Sequence, residues 1–218
     1  MISTDLFGNT VHPGLRDEPL CEGAVVLRGF ALANERPLQQ SIDTIAAQAP
    51  FRHLITPGGF RMSVGMTNAG PLGWVSDRRG YRYDPIDPDS GKPWPAMPGV
   101  FLELAGTAAA RAGFPGFVPD ACLINRYEPG TRLTLHQDRN ERDFGQPIVS
   151  VSLGIPAVFL FGGMQRTDRA LRVPLAHGDV VVWGGPARLR YHGVLPLKPN
   201  HHEALGECRI NLTFRRAG

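Results

Sequence analysis

The sequence predicts a mainly β fold, a sandwich or jelly roll, with two flanking helices and an irregular lobe set between them. Three observations predict it. From residue 119 onward, short strand-like segments follow one another, separated by turns containing glycine and proline. Upstream, two apolar stripes recur at helical spacing. Between the stripes, residues 51–97 are rich in glycine, proline and aromatic or sulfur-bearing side chains, with no sustained period.

The first helix is read from Leu38, Ile42, Ile45, Ala46 and Ala49, with Asn34 as a plausible N-cap and Pro50 as the stop. The second carries Phe101, Leu104, Ala105, Ala108, Ala109 and Ala112 and closes at Gly113. Both stripes are ordinary core faces and receive no chemistry. The stretch between them holds short pieces such as Phe60–Val64 and reads as a lobe rather than a regular layer. The expected strands are Ala121–Tyr127, Arg132–Asp138, Ile148–Leu153, Val158–Phe161, Leu171–Leu175, Val180–Trp183, Leu189–Leu195 and Cys208–Arg215. Glu128-Pro129-Gly130-Thr131 fits a type II turn, with proline then glycine at its centre. The expected organisation is one folded domain. Residues 1–50 form a terminal segment and covering helix, 51–97 the lobe, and 98–218 a helix and the β core.

At 218 residues the chain is long enough to bury a sizeable core. A net charge of +3 permits contact with nucleic acid without demanding it. Cys21, Cys122 and Cys208 are odd in number and form no Cys-x-x-Cys, which points to a reducing compartment. Met1–Asp5 lacks a basic-then-apolar leader pattern, and no apolar run approaches a membrane span. A cytoplasmic protein, monomeric and without a membrane partner, is expected.

The chemistry begins at His136-Gln137-Asp138, with His192 further on. Two imidazoles and one carboxylate form the facial triad of non-haem Fe(II) oxygenases, which leaves coordination positions open for substrates. The run Leu133–Asp138 alternates apolar and polar, as a half-buried strand does, so His136 and Asp138 should point where Thr134 points. An isolated His-x-Asp is common, and His192 alone reads equally well as a core histidine held by the backbone. The last strand adds weight: Arg209, Asn211, Thr213 and Arg215 share one face and Ile210, Leu212 and Phe214 the other. Guanidiniums grip carboxylates bidentately, so this face suits a dicarboxylate, although a solvated outer face has the same pattern. A second His-x-Asp, His177-Gly178-Asp179, leads into Val180–Trp183 and reads as a hairpin corner rather than a ligand pair.

Taken together, several segments resemble the AlkB family of Fe(II)/2-oxoglutarate-dependent nucleic-acid demethylases. The most specific are Pro119–Tyr127, Leu135–Asp138, His177–Gly185, Tyr191–Gly193 and Arg209-x-Asn211–Arg215. Thr56–Gly59, Met62–Val64, Gly73-Trp74 and Trp94–Pro98 extend the likeness into the lobe, so that it covers roughly residues 20–217.

The resemblance implies a double-stranded β-helix (jelly-roll) core, with Fe(II) held by His136, Asp138 and His192. It implies 2-oxoglutarate as co-substrate with O2, its distal oxygens held by Asn125, Tyr127, Arg209, Asn211 and Arg215. Arg126 faces the other way along its strand and is left out. The implied activity is removal of N-methyl groups from 1-methyladenine and 3-methylcytosine in DNA or RNA, released as formaldehyde. The 51–97 segment becomes a nucleotide-recognition lobe: Trp74 stacks on the flipped base opposite His136, Tyr81 and Arg166 contact the nucleotide, and Met66 and Thr56 line the lobe. Taken alone, Trp74 reads as ordinary packing, and Arg78 and Arg79 as a solvated loop pair. The chain departs from the pattern of the family's bacterial members at one position. Where those run His-Gln-Asp-x-Asp, this chain has Asn140, which keeps an acceptor but loses the charge that faces the lesion's exocyclic amine. The alternative activity is 2-oxoglutarate-dependent hydroxylation of a small molecule or a protein side chain.

Overall fold

The computed structural model describes residues 16–218. The opening residues, read above for the absence of a leader, lie outside them. The described chain runs β1 (Asp17–Cys21), β2 (Ala24–Leu27), α1 (Glu35–Gln48), β3 (Gly65–Ala69), β4 (Gly73–Asp77), β5 (Gly80–Asp84) and α2 (Gly99–Arg111). It continues with β6 (Ala121–Tyr127), β7 (Leu133–His136), β8 (Ile148–Gly154), β9 (Ala157–Phe161), β10 (Leu171–Leu175), β11 (Val180–Trp183), β12 (His192–Val194) and β13 (Arg209–Arg215).

Two antiparallel sheets face each other. The larger has the order β1-β2-β11-β8-β13-β6-β3 and the smaller β10-β9-β12-β7. Period-two alternation along the strands decides what lies on each side. Ile210, Leu212 and Phe214 of β13 join Val149, Val151, Val180 and Val182 in a core capped by Leu38, Ile42 and Ile45 of α1 and Phe101, Leu104 and Ala108 of α2. Both helices thus cover the outer face of the larger sheet. The opposite face packs Val181, Trp183 and Tyr127 against Phe159, Phe161, Val173 and Val194 of the smaller sheet. Arg209, Asn211, Thr213 and Arg215 point into this space between the sheets and are buried rather than solvated.

Several expectations change. The 51–97 stretch is partly regular: β3 extends the larger sheet beside β6, and β4–β5 form a hairpin of their own. β1 and β2 were not anticipated, being short strands that carry little period. Asn34 precedes α1 without making a side-chain cap. The Leu189–Leu195 strand shrinks to His192–Val194, because the residues before it enter through a short 3-10 turn at Gly185–Ala187. The Arg132–Asp138 strand stops at His136, where its ladder with β12 ends, so Asp138 sits at the start of a loop rather than on a strand. At Glu128–Thr131 the expected turn is present, with Gly130 at φ +86° and Thr131 N–H donating to Glu128 O at 3.0 Å. No helix among the described residues is long and apolar enough to cross a membrane.

Candidate active site

His136 ends β7 and pairs directly with His192 on β12. Gly193 makes this close approach feasible, since a Cβ there would lie 2.7 Å from Leu133 O. The two rings stand 4.4 Å apart between centroids. Asp138 enters from the following loop, with Oδ1 3.8 Å from His136 Nε2 and Oδ2 3.7 Å from His192 Nε2. All three ligand atoms fall within 4.8 Å of one another.

The tautomers fit a cation. His136 Nδ1 lies 2.8 Å from Thr134 O and His192 Nδ1 3.1 Å from Arg190 O. A carbonyl only accepts, so each Nδ1 carries the proton and each Nε2 lone pair faces Asp138. Burial, with His136 close by, pushes His192 down to about 4 and keeps it neutral. Burial raises the Asp138 carboxyl, but the Arg215 guanidinium beside it outweighs that, holding it well below the usual carboxylate range. Two imidazoles and an ionised carboxylate are a donor set for a divalent metal with positions to spare.

The other histidine cluster has the opposite chemistry. Glu35, His177 and His202 also bring ligand atoms within 4.8 Å. Here His177 Nδ1 accepts the N–H of Gly154 at 2.9 Å, and His202 Nδ1 that of Ala204 at 3.3 Å. Each neutral ring therefore carries its proton on Nε2, and His177 turns that N–H toward Glu35 Oε1, 3.4 Å away. These rings offer protons where a cation needs lone pairs. Asp179 is a corner residue: it accepts from Arg28 Nη1 at 2.7 Å, Gly29 N–H at 2.9 Å and Ala176 N–H at 2.9 Å.

Beside the triad, β13 and β6 align their polar residues in register, Arg209 opposite Tyr127 and Asn211 opposite Asn125. Arg209 is buried; its Nη2 donates to Ser152 Oγ at 2.8 Å, while Nε and Nη1 have no protein partner. Arg215 Nη1 is likewise unpartnered. Buried guanidinium donors left unpaired are rare and call for an anion, so these three N–H-bearing atoms fit a dicarboxylic acid set against the triad. Burial pushes the Tyr127 phenol up to about 12, which keeps its O–H as a donor. Asn211 is held by Ser150, Val151 and Thr213. Asn125 gives its Nδ2 to Asn211 Oδ1 at 3.4 Å, leaving an acceptor rather than a donor unpaired. Met66 lies opposite Asn125 in the ladder and is buried.

The β4–β5 hairpin carries the aromatic groups. Trp74 and Tyr81 are stacked, with centroids 5.5 Å apart and planes 14° apart. Asn68 fixes the Trp74 backbone in both directions, accepting its N–H at 2.9 Å and donating to its carbonyl at 3.1 Å. Gly73 leaves room for the Trp94 ring, which would collide with any Cβ there. Asn140 is exposed and accepts a long hydrogen bond from Trp74 Nε1 at 3.5 Å. Arg166 is exposed in the β9–β10 turn, and Thr56 caps its own turn by accepting from Phe60 N–H. Neither is hydrogen-bonded to the triad among the described residues.

Three residues at this site were not foreseen from the sequence. Glu141 is buried and accepts from Tyr83 Oη at 2.6 Å and Arg188 Nη2 at 3.0 Å, with Arg215 Nε 3.4 Å away. Tyr83 could have been noticed as the residue that alternates with Tyr81 along a strand. Glu141 and Arg188 lie in irregular segments where no period singles them out.

A jelly roll with two imidazoles and a carboxylate beside two buried guanidiniums that keep unpartnered N–H groups defines an iron- and keto-acid-dependent oxygenase. The chain belongs to the 2OG-Fe(II) oxygenase superfamily, whose sequence model matches residues 23–215. It is therefore a dioxygenase that uses Fe(II), 2-oxoglutarate and O2. It is 58% identical over 201 residues to the alpha-ketoglutarate-dependent dioxygenase AlkB of Escherichia coli, covering 92% of this chain and 93% of that one. It is 34% identical over 140 residues to the human nucleic acid dioxygenase ALKBH1, covering 63% of this chain and 35% of that one. Among solved structures, that of OsALKBH1 superposes with a TM-score of 0.83 at 29% identity, covering 92% of this chain and all of that one.

Proposed function

We propose that this enzyme oxidatively demethylates N-alkylated bases of the 1-methyladenine and 3-methylcytosine type in DNA or RNA. The observation that carries the proposal is the pair of imidazoles whose Nδ1 protons are tied to carbonyls. That tie aims both Nε2 lone pairs at the Asp138 carboxylate, next to a hairpin bearing an exposed aromatic. The names of the relatives support nucleic acid as the substrate class.

In this reading His136, Asp138 and His192 hold the iron, and Asn125, Tyr127, Arg209, Asn211 and Arg215 hold the keto acid. Once bound, iron with O2 and 2-oxoglutarate supplies the oxidising power that turns the N-methyl into an N-hydroxymethyl, which leaves as formaldehyde, with succinate and carbon dioxide as co-products. The protein's part is placement. Arg209 and Arg215 neutralise the acid, while the Tyr127 O–H donates to it. Residues 51–97 serve as the nucleotide lobe. There Trp74 stacks on a base drawn out of its strand, with His136 on the other side. Tyr81 and Arg166 contact the nucleotide, Thr56 lines the lobe with Met66 buried within it, and Asn140 faces the base edge. Extracting the base costs a few kcal/mol, and less where methylation has already broken the pair. Stacking and the cation–π attraction of a charged methylated base return about 1–3 kcal/mol. The three free cysteines agree with a reducing cytoplasm. The same reading takes the enzyme as monomeric and off the membrane.

The test is formaldehyde release from methylated oligonucleotides supplied with Fe(II), 2-oxoglutarate and ascorbate. Stoichiometric release with His136→Ala inactive is expected. Succinate production that ignores every oligonucleotide and rises with a small molecule or a peptide would replace this reading with the alternative hydroxylase.

A further inference from the structure

We infer that Arg188 is a positioning residue that fixes the carboxylate ligand Asp138 relative to His192. The inference rests on His136, Asp138 and His192 being the iron ligands.

Asp138 is the one member of the triad without a strand under it. It lies at the start of the segment between β7 and β8, which has neither helix nor strand from 137 to 147. Something outside the ladder must hold it. Arg188 lies four residues before His192, on the turn that leads into β12, and is buried to 3% exposure. Its guanidinium reaches across to the loop. Nη1 donates to the backbone carbonyl of Asp138 itself at 2.8 Å. Nη2 donates to Glu141 Oε2 at 3.0 Å, and Nε to Gln146 O at 3.0 Å. The plane also covers the Phe144 ring, 5.4 Å from its centroid.

These contacts bind the ascending end, the middle and the descending end of the loop to the segment that carries His192. Arg215 neutralises the Asp138 side chain, whereas Arg188 locates its backbone. A planar fork with donors in fixed directions suits this task. A lysine ammonium is a point charge and cannot meet three separated acceptors at once. Glu141 balances the charge that burial of Arg188 brings inside, so the clamp needs no solvent.

Groups that orient a metal ligand affect metal affinity by about ten- to a hundred-fold. Arg188→Met and Arg188→Lys are therefore expected to bind Fe(II) at least about ten-fold more weakly than the parent, with lysine the milder. Binding is measured without oxygen through quenching of tryptophan fluorescence, and the visible spectrum of the Co(II)-loaded protein reads the ligand field directly. A loop clamp with no bearing on the metal would lower the melting temperature yet leave affinity and spectrum unchanged in the folded protein. That result, in either variant that melts cooperatively, overturns the inference. If Arg188→Met does not fold, Arg188→Lys decides, because it retains the charge opposite Glu141. A parent protein that binds Fe(II) no better than its His136→Ala variant would overturn the ligand assignment itself, and the inference with it.

Discussion

Arg215 donates from both Nε and Nη2 to a single oxygen of Asp138, Oδ2, at 2.9 and 2.5 Å. The geometry leaves Oδ1 turned toward His136. It also resolves an electrostatic conflict, since a carboxylate fully ionised in a buried site needs a counter-charge before any metal arrives. Removing one partner of a buried pair costs about 3–5 kcal/mol, because the other charge is left alone. Arg215→Met should therefore destabilise the metal-free protein by about that amount. A bound divalent cation takes over part of the lost compensation, so the deficit should shrink with Mn(II). Urea unfolding with and without Mn(II) measures both. An identical deficit in the two conditions would mean that Arg215 acts through packing.

Tyr127 gives a pH prediction. Its folded-state value of about 12 lies above the ordinary phenol value near 10 because burial disfavours the phenolate. The folded protein therefore holds this proton where the unfolded chain releases it. The resulting stability is whole below pH 10 and is lost as pH rises toward 12. Absorbance of the phenolate should show a step near pH 12 that is missing from Tyr127→Phe. Removal of that step should also flatten the alkaline loss of stability. If the substitution instead deletes a step near pH 10, the ring is solvated and cannot serve as a buried donor.

What could be read from the sequence was what repeats locally. The alternation in Arg209–Arg215 separates the polar face from the apolar one with no knowledge of neighbours, and the structure sets that face between the sheets. His136, Asp138 and His192 also come together, although the assumed route for Asp138 through a continuous strand is wrong. The ladder ends two residues early because β12 supplies no partner beyond His136. Illegible were the contacts that depend on distant closure. Arg188 and Glu141 stand 47 residues apart, and nothing in the turn or loop around either names the other. β3 was missed for a related reason: Gly65–Ala69 is buried throughout, so it lacks the alternation that marks a half-exposed strand.

Asp179 separates the two His-x-Asp pairs. It holds Arg28 and two backbone N–H groups at the hairpin corner. Arg28 is only partly buried and keeps Glu18 as a partner at 2.8 Å. Asp179→Ala should cost about 1–3 kcal/mol, typical of losing charged hydrogen bonds. Iron affinity should remain as in the parent. Thermal unfolding paired with anaerobic Fe(II) titration checks both parts, and loss of metal in a folded variant would shift the candidate centre to His177.

Asn140 bears on lesion choice. Its side chain is exposed and accepts from Trp74 Nε1, so an aspartate fits the same space and keeps that acceptor. A restored charge facing a cationic base at about 4 Å would attract by roughly 4 kcal/mol at an effective dielectric near 20. Exposure and salt reduce such attractions to about 1 kcal/mol or less. Asn140→Asp should therefore raise kcat/KM on 1-methyladenine by about five-fold, more than on 3-methylcytosine, and the gain should fade with salt. Side-by-side turnover of the two lesions at low and high ionic strength tests this. An equal gain on both would remove the charge argument for selectivity.

Tyr83 is where the hairpin meets the triad's supports. Its hydroxyl donates to Glu141 at 2.6 Å, and Glu141 lies against Arg188 and Arg215, which in turn hold the backbone and carboxylate of Asp138. The hairpin is hydrogen-bonded as a sheet to neither of the larger two, so its seat depends on side chains. Asn68, Ser76 and Trp94 add further ties through backbone groups of Trp74, Ile55 and Asp84. Tyr83→Phe removes the donor and leaves a buried carboxylate one hydrogen bond short, costing about 1–3 kcal/mol. Because Arg188 and Arg215 still hold Asp138, Fe(II) affinity and the KM for 2-oxoglutarate should change little. The KM for an oligonucleotide should rise about ten-fold, as the stacked Trp74–Tyr81 face loses its fixed seat. Steady-state kinetics with each substrate varied in turn separates the two effects. A rise confined to 2-oxoglutarate would place Tyr83 with the keto-acid pocket and leave the hairpin held by Asn68, Ser76 and Trp94.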